Sequence, residues 1–368
     1  MTEYTEWTTA ELIALIEAPA LRVDFDCWLL GDEDIELTDD VVGAGAWVEL
    51  NVTSAISRTC EFTISRELAW GNARISLAAL LSVDGADWTR FPLGVFLTST
   101  PQRNVTEGTP TWVVQGYDLI QILSTPIGSS ITLATGDTIL AAAEALIAGL
   151  GETTAFDQTA ATTVAAATTT WSFLDEEWTL INVVNAMLDQ IGYTPCWVDR
   201  YGVFRSGPYR SPSDRPSVWT FNTSSSTTTV SLERSTILDY FNAPNEVLGV
   251  NTATELDVPT VGNGGLYTLT NPADGPTSIA ARGRTIRRII KGQYADAAAL
   301  ITAVTAELDA AKRVTTVIEC KVSPNPVLGH NTVVTYIDAA IPVNAKHIVE
   351  RWRLPLDGQD MEMTLRQA

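Results

Sequence analysis

The clearest hydrophobic pattern in the chain runs from Trp171 to Tyr209. Trp178, Ile181, Val184, Leu188 and Ile191 recur every three or four residues, which lines one face of a helix. Asp175 stands where an N-cap is expected, and Glu176 and Glu177 put negative charge at the positive end of the helix dipole. Gly192 supplies the left-handed residue that ends it. Cys196, Trp197 and Val198 then predict a short strand, Asp199-Arg200-Tyr201-Gly202 a turn, and Val203 to Ser206 the return strand.

Upstream, residues 8–18 predict a short helix with Leu12, Ile13 and Ile16 on one side. From Arg22 the period changes to two: Val23, Phe25, Cys27 and Leu29 alternate with Asp24, Asp26 and Trp28, as in a strand with one buried face. An acidic loop, GDEDIELTDD, follows; its carboxylates lack the spacing and glycine of a calcium loop and read as solvated. Further strands are predicted at 46–50, 59–64, 74–83, 92–97 and 112–115, with a helical turn to Leu123. Short strands punctuated by turns point to an antiparallel barrel or sandwich over residues 20–127, after an N-terminal helical segment, 1–19.

Residues 128–210 read as an α/β module. Thr135-Gly136-Asp137-Thr138 opens a helix in which Ile139, Ala143, Leu146, Ile147 and Leu150 share a face. The Thr/Ala-rich stretch 153–170 fits either an exposed loop or an edge hairpin. The Gly207-Pro208 to Pro216 stretch marks a boundary. Beyond it, residues 211–368 predict a second β module carrying one long helix, about 293–313. Tyr294, Ala298, Ile301, Val304, Leu308 and Ala311 share that helix's face, and residues 258–276 form a loop. The fold class is β-rich α+β, with two antiparallel β-barrel domains flanking an α/β module.

Charge narrows the function. The net charge is −21, and no Lys or Arg lies between Arg103 and Arg200, a stretch with eleven Asp or Glu. Such a surface repels a phosphate backbone and argues against specific nucleic-acid binding. The one cationic cluster is Arg282, Arg284, Arg287, Arg288 and Lys291. A strand over 284–291 would put Arg284 and Arg288 on one face, either solvated or turned towards acidic residues of another subunit. Cys27, Cys60, Cys196 and Cys320 form no CxxC pair and read as buried free thiols of a protein folded in a reducing compartment. The N-terminus lacks a signal peptide's basic region, and no apolar run reaches membrane-spanning length.

Catalytic and metal motifs are missing: there is no GxSxG, HExxH, P-loop or GxGxxG, and only two His, His330 and His347, neither with a sequence-local partner. Glu176 and Glu177 are accounted for by the helix dipole rather than by a glycosidase pair. The expectation is a non-enzyme with no catalytic residue, cofactor or metal. The candidate interface residues are the cationic cluster together with Trp171, Trp178, Trp197 and Tyr201.

Three passages carry a family resemblance: DGADWTRFPLGVFLTSTP running into TWVVQGYDLIQIL; GDTILAAAEALIAGLG with WTLINVVNAMLDQIGYTPCWVDRYGVFRSGPY; and NPVLGHNTVVTYIDAAIPVNAKHIVERWRLPLDGQDMEMTLRQ after YFNAPNEVLGV. In this order they resemble the tail-tip and baseplate hub proteins of tailed bacteriophages. The resemblance implies a homotrimer whose two barrels per subunit build a pseudo-six-fold ring at the distal end of the virion's tail. It further implies partners on both sides: a tail-tube or distal-tail ring above, and a fibre, spike or receptor-binding protein below, with a tape-measure protein as a further candidate. DNA would pass the lumen without specific binding. The chain ends soon after its last predicted strand and reads as a minimal hub. The rival readings are a tail-associated cell-wall hydrolase with a dispersed site and a host-glycan or receptor-binding module using the aromatic residues.

Overall fold

The computed structural model describes residues 2–3, 7–42, 45–68, 70, 73–99, 101–106, 109–165, 167–174, 178–225, 229–238, 241–251, 265–292, 297–312, 316–341 and 343–368. They fall into two compact units, the first Met1–Arg234 with Glu319–Arg366 and Ala368, the second Ser235–Ile318 with Gln367.

The first unit is built on one large, mainly antiparallel sheet. From Val343–Pro355 its strands run through Trp47–Asn51, Arg58–Ile64, Thr109–Asp118, Thr89–Thr98, Arg74–Ser82 and Arg22–Leu30 to Ile35–Glu36. Alternation explains the inward face. In Arg58–Ile64, the residues Arg58, Cys60, Phe62 and Ile64 are buried and their neighbours are partly exposed. Val343–Pro355 is the joint: it pairs on one side with Val333–Asp338 and on the other with Trp47–Asn51, placing Trp352 opposite Leu50. Strands from both β-rich segments read from the sequence therefore share one sheet.

Within this unit the α/β module has its own core. The helices Ile139–Ala148 and Leu180–Gln190 pack with the turn Ile120–Leu123, burying Leu123, Leu140, Ile147, Val184, Leu188 and Phe204 together. Residues 153–170 are neither a free loop nor a hairpin. Phe156 and Ala165 are buried in the module core, and Thr169–Trp171 pairs antiparallel with Ile131–Leu133.

In the second unit Glu246–Asn251 is the central strand, antiparallel to Leu266–Thr270 and parallel to Arg287–Gly292. The helix Ala297–Lys312 covers one face of this sheet, through a core of Val247, Leu300, Val304 and Leu308. Gly249 permits that approach. A Cβ there would lie 2.7 Å from Leu300 Cδ1 and closer still to Val304 Cγ2.

Several local expectations are corrected. Leu180–Gln190 is capped by Thr179, whose hydroxyl accepts from the Asn182 N–H, and not by Asp175. Asp175, Glu176 and Glu177 themselves lie outside the described residues. The N-terminal helix spans Thr9–Ile16 behind a Thr8–Glu11 capping box and buries Leu15 and Ile16, leaving Ile13 exposed. In the long helix the buried stripe is Leu300, Val304 and Leu308; Ile301 is exposed, and Tyr294 lies outside the described residues. Leu266–Thr270 is a strand inside the span read as a loop. No helix among the described residues is long and apolar enough to cross a membrane.

Candidate interface sites

The hairpin Trp197–Val198/Phe204–Arg205 is locked from inside and then clasped to the sheet. In its turn the Asp199 carboxylate accepts from the N–H groups of Tyr201 and Val203 and from Arg205 Nε. Gly202 takes a φ of 80°, which an L side chain rarely adopts. Arg200 donates to the carbonyls of Pro326 at 3.2 Å and Val327 at 3.0 Å. The Trp197 indole stacks on the His330 imidazole. From below, the buried Arg58 guanidinium donates to the Val198 carbonyl. The Asp118 carboxylate holds that region of the sheet together, accepting from the Ser57 hydroxyl and from the Arg58 and Ile120 N–H groups.

Burial sets the electrostatics of this clasp. Desolvation, then the neighbouring charges of Arg58 and Arg215, pushes the His330 pKa down to about 3, so its ring is neutral and suited to stacking. Desolvation also lowers Arg58 to about 10, with the like charge of Arg200 adding to it. His347, fully buried, is lowered by desolvation, and its Nδ1 sits 3.0 Å from the Ala345 carbonyl. The two histidines thus occupy packed positions. All four cysteines are free and buried, as the sequence suggested. Among the described residues no group of His, Cys, Asp and Glu is arranged to hold a metal ion.

The structure separates the aromatic candidates. Trp171 is 4% exposed and belongs to the module core, where it meets Trp178 edge-on. Trp171 is thus a core group, and Trp178 packs against that core partly buried. Trp197 is half-buried against His330, and Tyr201, 48% exposed at the turn, faces solvent.

The cationic residues come together in the second unit without forming one strand face. Arg287 and Arg288 lie on Arg287–Gly292 and point to opposite sides: Arg287 pairs with Glu246, and Arg288 with Glu307 of the helix at 2.8 Å. Arg284 precedes the strand and stacks its guanidinium over Phe241 at 4.4 Å. Arg282 donates to the carbonyls of Phe241 and Ala243. Sequence reasoning missed Glu246 and Glu307, since nothing local links them to the arginines.

No protein-family model matches the chain. No curated protein matches it either. Solved structures do. A tail protein from Neisseria meningitidis MC58 aligns with a TM-score of 0.63 at 15% identity, covering 94% of this chain and 96% of that one. The chain has the fold of phage tail proteins. The 43 kDa tail protein of prophage MuSo2 from Shewanella oneidensis gives a TM-score of 0.60 at 13% identity, covering 93% and 98% of the two chains. A Francisella PdpA–VgrG complex gives 0.54 at 8% identity, covering 95% of this chain and 53% of the matched chain. Both tail proteins are matched along nearly their whole length, so the likeness takes in the large sheet, the α/β module and the second unit together.

Proposed function

We propose that this chain is the structural hub of a bacteriophage tail tip, a homotrimer whose β modules form a pseudo-six-fold ring at the distal end of the tail. The observation that carries the reading is the near end-to-end correspondence of fold with two tail proteins, one of them from a prophage. In this reading residues 20–127 and 211–368 supply two tube-like barrel modules that repeat around the axis, with the 128–210 module set outside them. The clasp of Arg58, Arg200 and His330 keeps that module fixed to the sheet. One side of the ring meets the tail tube or a distal-tail ring, and the other a fibre, spike or receptor-binding protein.

The net charge of −21 supports a lumen that DNA crosses without adhering, because carboxylates facing a phosphate backbone repel it. The role is scaffolding and needs no chemistry. Antibody labelling of tailed particles tests it: gold at the tail tip supports the hub reading, and particles that never carry the protein contradict it.

A further inference from the structure

The three-stranded sheet of the second unit has two unlike faces. Val247, Gly249, Tyr267, Leu269 and Ile290 lie against the helix Ala297–Lys312. Register puts three rows on the other face: Glu246 with Arg287 and Thr270, Leu248 with Ile289 and Thr268, Val250 with Lys291 and Leu266. Leu248, Val250, Leu266 and Ile289 therefore form an apolar strip with the cation Lys291 at one end and the Arg287–Glu246 ion pair at the other. Ile289 is 53% exposed. Lys291 is exposed and has no ion-pair partner among the described residues. An apolar strip with a cationic edge is the composition of a docking face rather than of a solvated sheet surface.

We infer that this face docks a second copy of this chain. Charge selects the occupant. The chain has 44 Asp and Glu against 23 Lys and Arg, so another copy presents a predominantly acidic surface, and opposite charges steer and register such a contact. The first unit offers a complement of the same mixed chemistry: a hollow of about 510 Å³ lined by Asp24, Asp34, Glu36, Phe25 and Trp28, whose one cation among the described residues, Arg90, is paired with Asp26. A cationic apolar face meeting an acidic apolar hollow joins two different patches. Contacts of that kind build a ring when their rotation closes and an open filament when it does not. The inference rests on the trimeric-hub reading and names the surface that reading leaves open.

Light scattering on the full chain across a concentration series tests it, comparing wild type with Ile289→Glu and Lys291→Glu. Both substitutions replace exposed side chains, and circular dichroism checks that the fold is retained. The expected result is a wild-type trimer, with assembly weakened by about tenfold or more in each variant and restored in Lys291→Arg. A trimer indifferent to both substitutions overturns this face and leaves the hub reading standing. A wild type that stays monomeric overturns both.

Discussion

The indole of Trp197 lies flat on the imidazole of His330, with ring centroids 4.7 Å apart and planes 6° from parallel. One ring comes from the hairpin of the α/β module and the other from the turn before Val333–Asp338, so the stack joins segments far apart in sequence. Its chemistry depends on an uncharged histidine. The folded pKa of about 3 lies below the ordinary value of 6.5, so the unfolded chain binds the proton first as pH falls. This contribution to stability is complete above pH ~6.5 and is lost progressively as pH falls towards ~3. Urea melts at a series of pH values should show that loss, and His330→Gln should flatten the profile over that window. An unchanged profile would contradict the account of the stack.

The Asp118 carboxylate satisfies three donors in a buried setting. Asp118→Ala leaves two backbone N–H groups and a hydroxyl without their acceptor, at about 1–3 kcal/mol for each unsatisfied group. Chemical denaturation should show a loss of about 3 kcal/mol or more. Asn at the same position restores only part of it, because one oxygen is replaced by a donor.

Gly249 is constrained by packing, not by backbone conformation. Gly249→Ala forces a methyl into the side chains of Val304 and Leu300, and overpacking of this kind costs about 1–3 kcal/mol. Thermal unfolding followed by amide exchange should place the loss in the second unit. The exposed Thr268→Ala serves as a control that changes little.

Burial also governs the thiols. Desolvation raises the pKa of Cys27 and of Cys320 to about 12 and pushes Cys60 and Cys196 up as well. A thiol-specific reagent at pH 8 should label none of the four in the native protein and all four in guanidinium. Rapid labelling of the native chain would show that a cysteine lies nearer the surface than the fold places it.

Much of the architecture was legible because it is local. Alternation from Arg22 to Leu30 and the helical stripe through Val184 and Leu188 mark their elements directly. Errors arose where two local signals compete. Asp175 and Thr179 are both good caps, and only the fold shows that the helix begins after Thr179. Leu266–Thr270 has weak alternation beside a glycine-rich stretch, so its strand is set by pairing with Glu246–Asn251. Long-range relations had no sequence signal. The Arg351–Glu49 hydrogen bond spans 302 positions, and the joint between Val343–Pro355 and Trp47–Asn51 that it accompanies is a product of tertiary pairing. The same holds for the interface candidates: aromatic content alone could not separate Trp171, a core group, from Tyr201, a surface one.

The most direct test of the hub account is electron cryo-microscopy of the purified protein. The account predicts a three-fold particle of about 119 kDa, three chains of 39.8 kDa each, enclosing a lumen lined by carboxylates. A monomer, or a ring whose lumen is neutral or basic, would contradict it.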